Sequence, residues 1–415
     1  MTVSSPLAPP SVTPLELSTE NLALLDPGCR DYLLYPDPAQ WQPFSEAVSQ
    51  VRASPHSASL SLGLQSGNPA TSPGPQFERR YLHALLHEID LLGRQFGKAF
   101  RIEQLHLWGS SIPEADLQAL LAAVRQHFSL LAHCHFSLHL PLNQLPPQTL
   151  HYWAAHGFRH LHLSLQAGEV QPLPSALLLA RTLKFESVRI DLGFGLRQQP
   201  LLALARTLKT LVTVAPDQIA LHPGPANHEH LCFSLKRLHA AGYTYLGGFC
   251  FTRARDPLLR AQRHGHLHRD LSGYTTHNSH HHLGCGLDGI SALGNFYRQN
   301  SHDPAQYCTL LEQGQLPLTR YLTLSMDDLL RRIVIHLLIC QFEVSIQTLE
   351  LSYPIQFRHY FASELIQLQV LAQRGWLSIE PAFLQVLPAG QLFIYQICAV
   401  FDRYRCSDTT SGQQS

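Results

Sequence analysis

From residue 59 onward the apolar positions fall into two alternating rhythms. Ser59–Leu64 is a short run of small and aliphatic residues, and Phe77–Phe96 then carries Leu82, Leu85, Leu86, Ile89 and Leu92 at helical spacing. The first predicts a strand and the second an amphipathic helix, because strand side chains share a face at every second residue and helical ones at about every 3.6. The alternation continues with strands predicted at Ile102–Trp108, Cys134–Leu140, Leu161–Leu165, Val188–Phe194 and Gln218–Leu221. Helices are predicted at Glu114–Phe128, Pro147–His156, Ser175–Lys184, Leu201–Val212 and His228–Ala241, the last closed by Gly242. Strand-helix units in succession imply a parallel α/β architecture. With no dinucleotide-binding glycine fingerprint, the expected form is a six-unit partial (β/α) barrel, in which chemistry sits on the loops after the strands.

The flanking segments read differently. Residues 1–20, rich in Pro, Ser and Thr, read as a flexible arm within an N-terminal segment 1–55. The barrel is placed at 56–250. Residues 251–320 are punctuated by Gly and His and read as a loop layer over the barrel mouth. From residue 321 to 405 the pattern is helical, at Asp327–Cys340, Ile355–Arg374 and Ala389–Tyr404, with a winged-helix-like cadence over 355–388. Residues 406–415 form a tail.

Composition narrows the functional classes. Lys+Arg and Asp+Glu are both 30 in 415 residues, so the formal net charge is zero. That argues against an electrostatic nucleic-acid partner. No apolar run approaches the roughly 18 residues of a membrane span, and the N-terminus lacks a basic, then apolar, signal pattern, so a cytoplasmic location is expected. Nine cysteines stand apart from one another with no CxxC pair, which fits reduced thiols.

Histidine is abundant, at 26. The densest group is His277 with His280-His281-His282. Imidazoles bind transition metals and haem, which makes His277, His280 and His282 candidate ligands, although consecutive histidines on a loop cannot all face one ion. A solvated polar loop is the other reading. His135 and His139, and His160 and His162, alternate on two predicted strands, so each pair shares a face; they line an imidazole pocket or hydrogen-bond within a core.

One set of motifs is specific. His268-Arg269, Gly273-Tyr274-Thr275-Thr276, Leu283-Gly284, Gly286, Ile290-Ser291, Gly294, Tyr297 and Gln299-Asn300 stand in a fixed order, with Ile190-Asp191-Leu192, Gly157-Phe158-Arg159, Ala215-Pro216-Asp217 and Leu338-Ile339-Cys340 elsewhere. Through them the chain resembles the oxygen-independent coproporphyrinogen III oxidase family of the radical S-adenosylmethionine superfamily, over about residues 30–405. The resemblance implies a partial barrel of radical-SAM type with a helical C-terminal domain. It also implies a four-iron cluster held by a CxxxCxxC motif after the first strand, because soft thiolates hold such clusters. Here the corresponding segment, Ser59–Ala70, has no cysteine, and none lies between Cys29 and Cys134. The family's glycine-rich turn after strand two stands here as Gly109-Ser110-Ser111-Ile112-Pro113, His139 occupies the position of an acid, and Phe249-Cys250 replace an Asp-His pair.

The expectation from these departures is a chain whose cluster and S-adenosylmethionine sites are lost, with no cofactor and no catalytic residue. Gln166 and Asp191 would be vestiges of the cosubstrate site. His268, Arg269, Gly273, Tyr274, Thr275 and Thr276 would form a ligand-binding layer, with a tetrapyrrole or a protein as partner. Two alternatives stay open: an active oxidase that decarboxylates coproporphyrinogen III to protoporphyrinogen IX, and a haem- or metal-binding protein that uses its histidines.

Overall fold

The computed structural model describes residues 24, 42–43, 57–63, 75–109, 112–145, 147–194, 200–224, 228–278 and 281–403. The N-terminal arm (1–20), residues 64–74, Ser110, Ser111, His280 and the tail lie outside the described residues. In chain order the elements begin with β1 (Gln42–Pro43), β2 (Ser57–Gly63), α1 (Pro75–Phe96), β3 (Arg101–Trp108), α2 (Glu114–His127) and β4 (Ser129–Pro141). Next come α3 (Pro147–Ala155), β5 (His160–Gln166), α4 (Leu173–Thr182), β6 (Ser187–Phe194), α5 (Leu201–Val214) and β7 (Gln218–Pro223). After these come α6 (His228–Ala240), β8 (Thr244–Gly247), β9 (Cys250–Thr252), α7 (Pro257–Arg263), β10 (His268–Asp270) and β11 (Gly273–Thr275). Then follow β12 (His281–Cys285), β13 (Ile290–Leu293), β14 (Phe296–Asn300), α8 (Pro304–Glu312) and β15 (Leu318–Thr323). The chain closes with α9 (Met326–Gln341), β16 (Glu343–Ser345), α10 (Ile346–Ser352), α11 (Phe357–Tyr360), α12 (Ala362–Gln373), β17 (Leu377–Ile379), β18 (Phe383–Val386) and α13 (Ile394–Ala399).

The chain divides into two compact units, and the division differs from the expected one. One unit takes residues 39–223 and 277–324; the other takes 1–38, 224–276 and 325–415. The loop layer expected at 251–320 is therefore split. Its second half, His281–Asn300, forms three strands rather than loops.

In the first unit the strands lie in the order β1-β15-β14-β13-β12-β2-β3-β4-β5-β6-β7. Pairing is parallel from β12 through β7 and antiparallel from β12 out to β1. The register sorts the two faces. On one, aliphatic rows such as Leu107, Leu138, Leu161 and Val188 run across the strands. The facing helices bury stripes such as Leu117, Leu120, Leu121 and Val124. On the other face a row runs Ser61, His106, Ser137, His160, Ser187, and the next runs Gly63, Trp108, His139, His162, Arg189, Gln218. Strands of a parallel sheet usually carry aliphatic residues on both faces. A second face of serine, histidine and arginine departs from that rule, and such departures mark functional sites.

The second unit packs α9 with α13 and a three-stranded antiparallel sheet, β16-β18-β17. Helix α9 starts on a capping box in which Ser325 and Asp328 exchange hydrogen bonds. The predicted long helix 355–374 is broken at Phe361 into α11 and α12. Among the described residues no helix is long and apolar enough to cross a membrane.

Candidate functional site

The polar face opens, at the carboxyl ends of β2 to β6, into a cavity of about 530 Å³. Its lining includes Trp108, His139, His162, Asp191, Asp288 and His302. The carboxyl ends of parallel strands are where β/α folds place their chemistry.

Beneath the cavity the imidazoles form two groups. His106 Nδ1 lies 2.5 Å from Ser137 Oγ, which lies 3.0 Å from His139 Nε2. A serine hydroxyl placed between two ring nitrogens can accept from both, or donate to one and accept from the other. The His139 ring stacks on Trp108 at 3.7 Å and meets His162 at 4.0 Å. His135 stacks on His160 at 4.7 Å and meets His277 edge-on at 4.2 Å. Burial, reinforced by His277 and His135, pulls His106 down to about 3. Burial and His135 do the same to His160, also to about 3, and His139 and His162 fall well below their usual range. These imidazoles are therefore neutral at physiological pH. His106 Nε2, His162 Nδ1 and Ser61 Oγ are buried with no hydrogen-bond partner among the described residues. Such atoms call for ordered water or polar atoms of a ligand.

Asp191 sits at the cavity wall. Arg189 reaches its Oδ1 at 2.7 and 3.0 Å, and His222 Nε2 reaches the same oxygen at 3.1 Å. Burial pushes this carboxyl up, but the Arg189 guanidinium and His222 outweigh it and hold the group below the usual carboxylate range. Gln166, the other expected vestige, ends β5 beside Gly193, whose missing side chain makes room for its amide. Gln166 is not among the cavity-lining residues.

The residues expected as a ligand layer lie in the other unit. His268, Arg269, Gly273, Tyr274 and Thr275 belong to the β10–β11 hairpin, and Thr276 follows it. Arg269 lies over the Tyr274 ring at 4.9 Å, and its Nη1 donates to the Tyr395 hydroxyl at 3.3 Å. Its backbone N–H donates to His336 Nε2, and His268 stacks on the same ring. Tyr274 donates to the Ile339 carbonyl at 3.2 Å. Gly273 turns the hairpin at φ +122°. The motif thus clasps a hairpin onto α9.

Two members of the histidine run, His281 and His282, do not lie in a solvated loop. His281 and His282 are buried in β12, 8 % and 6 % exposed. His282 is paired with Ser59 and shares its polar face. His277 stands 4.0 Å from the Glu103 carboxylate. Among the described residues no three His, Cys, Asp or Glu side chains are grouped to hold a metal ion. His106 and Arg189 were missed as site residues. Period-two alternation with Gln104 and Trp108, and with Asp191, was the signal that placed them on the polar face.

A parallel β/α barrel segment with a polar interior and a cavity at its strand ends defines an enzyme-type scaffold. The HemN C-terminal domain family matches residues 324–393. The oxygen-independent coproporphyrinogen III oxidase of Pseudomonas aeruginosa is 30% identical over 362 residues, covering 78% of this chain and 79% of that protein. The enzyme of the same name from Escherichia coli K12 is 32% identical over 366 residues, with the same two coverages. The solved structure of the Escherichia coli coproporphyrinogen III oxidase HemN, described as a radical SAM enzyme, superposes with a TM-score of 0.83 at 27% identity, covering 94% of this chain and 100% of that one. The chain belongs to the oxygen-independent coproporphyrinogen III oxidase family.

The expectation of a chain without cofactor is corrected by this match, since the solved relative that shares nearly the whole fold is a radical SAM enzyme. The donor chemistry can be tested against an iron–sulfur cluster. The described thiols Cys134, Cys232, Cys285 and Cys308 are all pushed up by burial, Cys134 to about 12, and stay protonated. Clusters need thiolates. Among the described residues no three His, Cys, Asp or Glu side chains are grouped to hold a metal ion, so the described residues do not fit such a cluster, and no chemical step is derived through one.

Proposed function

We propose that this chain serves porphyrin biosynthesis by binding a tetrapyrrole of the coproporphyrinogen type. The observation that carries the reading is the superposition on the Escherichia coli oxidase over 94% of the chain, which matches the entire scaffold rather than one domain. The cavity supports it: the Asp191 carboxylate and neutral imidazole nitrogens of His139 and His162 are acceptors suited to pyrrole N–H groups. Separately from the cavity, Arg269 of the other unit is the guanidinium fork that the family resemblance offers for propionates.

Titration of the purified protein with coproporphyrin III, followed by absorption and fluorescence, tests this reading. Saturable binding is expected, weakened at least about tenfold, or roughly 1.4 kcal/mol, by Arg269→Ala. If Arg269 only ties the hairpin to α9, the substitution lowers the melting temperature and leaves affinity unchanged. Absence of saturable binding at about 50 μM overturns the tetrapyrrole reading. An active oxidase is the second reading, favoured by the same superposition. Anaerobic assay of coproporphyrinogen III with S-adenosylmethionine and a reductant separates the two: protoporphyrinogen IX as product establishes catalysis.

A further inference from the structure

We propose that Glu88 is a positioning residue for the cavity, an ionisable clamp that fixes the Gly286–Gly289 turn forming one of its walls. This inference holds whichever ligand the cavity takes and does not rest on the tetrapyrrole reading.

Glu88 is 1 % exposed, on the buried stripe of α1. Its Oε2 accepts from the Gly286 backbone N–H at 2.8 Å and from the Tyr307 hydroxyl at 2.5 Å. Its Oε1 accepts from Asn300 Nδ2 at 2.7 Å, and the same Asn300 nitrogen also reaches the Gly286 carbonyl. Two turns earlier on α1, Tyr81 donates to the Gly63 carbonyl at 2.7 Å and accepts from the Leu287 N–H at 3.2 Å. Helix α1 therefore grips two cavity segments, the end of β2 and the turn after β12.

The turn is costly in itself. Asp288 holds φ +56°, a left-handed conformation that favours glycine. Gly286, at φ +97°, packs so closely on Gly63 and Tyr81 that a Cβ would come within 2.8 Å of the Gly63 carbonyl. Leu287 and Asp288, at its tip, line the cavity. A link between two strands needs none of this. A buried carboxylate and a left-handed aspartate spent on four residues are explained if those residues must stay in place.

The clamp has two states. An ionised carboxylate accepts from all three donors. A protonated one becomes a donor at one oxygen, and the bond from Gly286 weakens. The groups facing Glu88 are Tyr81 on its own helix, Tyr307 on α8, Cys285 on β12 and Arg298 on β14. Burial pushes Glu88 up to about 7, against the opposing pull of Tyr307, Gly286, Asn300 and Arg298. Burial raises the two tyrosines and the thiol further, and lowers Arg298 only to about 10. Glu88 is thus the member of the cluster that changes charge near neutrality.

Hydrogen–deuterium exchange of the full chain across about pH 6 to 8, corrected for intrinsic rates, tests the proposal. Protection of the 286–289 amides should fall at least about threefold as the pH drops through the Glu88 transition, and be flat in the isosteric Glu88→Gln. Acrylamide quenching of Trp108, taken as the difference from Trp108→Phe, should rise over the same range. Tyr307→Phe, which removes a bond that favours ionised Glu88, should move the transition to higher pH. A flat wild-type profile, or a step that survives in Glu88→Gln or fails to move in Tyr307→Phe, overturns the clamp. A step in exchange without change at Trp108 overturns its connection to the cavity.

Discussion

Lowering the pH from about 7.5 to about 5 is expected to destabilise the folded protein by at least about 4 kcal/mol, read from urea denaturation at each pH. The cause is imidazole burial. His106 and His160 titrate at about 3 and His336 at about 4, each pulled down first by desolvation, against 6.5 for the free group. Below pH 6.5 the unfolded chain takes up protons that the folded chain refuses, so stability present above 6.5 is lost as the pH falls. Each of these histidines contributes a loss of about 2 kcal/mol at pH 5, or about 6 for the three. Glu88 works in the opposite direction. Its folded value of about 7 exceeds the ordinary 4.5, so the folded chain binds the extra proton in this window. That returns about 2 kcal/mol, which leaves the net figure. Replacing His106 with glutamine should reduce the loss by about 2 kcal/mol. Equal stability at the two pH values would show that the interior rings accept protons in place.

Gly284→Ala should cost about 3 kcal/mol or more, or leave no soluble protein. Gly284 lies inside β12, and its φ is not positive, so backbone freedom is not the reason for glycine. Space is. A Cβ there would overlap the backbone of Ile290, with its nitrogen at 2.6 Å and its carbonyl carbon at 2.8 Å. Those atoms belong to β13, and yielding would open the β12–β13 pair. Gly294 is the contrast within the same motif. It has nothing within 4 Å of a built Cβ but holds φ +66°, so Gly294→Ala should cost only about 1 kcal/mol. Equal melting temperatures for the two variants would refute the packing argument.

The parallel units were legible because each is a local pattern. Helix α5 begins at Leu201, immediately after Pro200, where a proline residue sits at the N-cap, and the structure starts it at the same residue. Strands β12 to β14 were not legible. His281-His282-Leu283-Gly284-Cys285 has neither alternation nor the usual strand composition, and it becomes a strand because β2 supplies a parallel edge. The site divides the same way. Asp191 was picked out by the family resemblance, and spacing paired His135 with His139 and His160 with His162. Glu88 did not stand out, since it is one polar residue among Leu85, Ile89 and Leu92. Its partners Gly286, Asn300 and Tyr307 lie 198, 212 and 219 residues away. The ligand reading of Arg269 came from a motif, and a motif does not distinguish a residue that grips a ligand from one that grips a tyrosine.

The place of β2 between β3 and β12 has a consequence for how the chain reaches this state. Leu60 pairs with Leu105 on one side, a short closure, and with Leu283 on the other, which closes a loop of about 220 residues. During synthesis the β2–β7 ladder can assemble while one edge of β2 has no partner yet. An open parallel edge is a template for foreign strands until it is covered. At a translation rate of roughly 5–20 residues per second, that edge waits on the order of ten seconds or more for His281–Cys285 to leave the ribosome. The segment that covers it begins with two histidines and contains a glycine, so it is itself a poor nucleator of sheet. Its late arrival leaves β2, among the strands of the parallel ladder, the one whose second edge is covered only by a segment more than two hundred residues away.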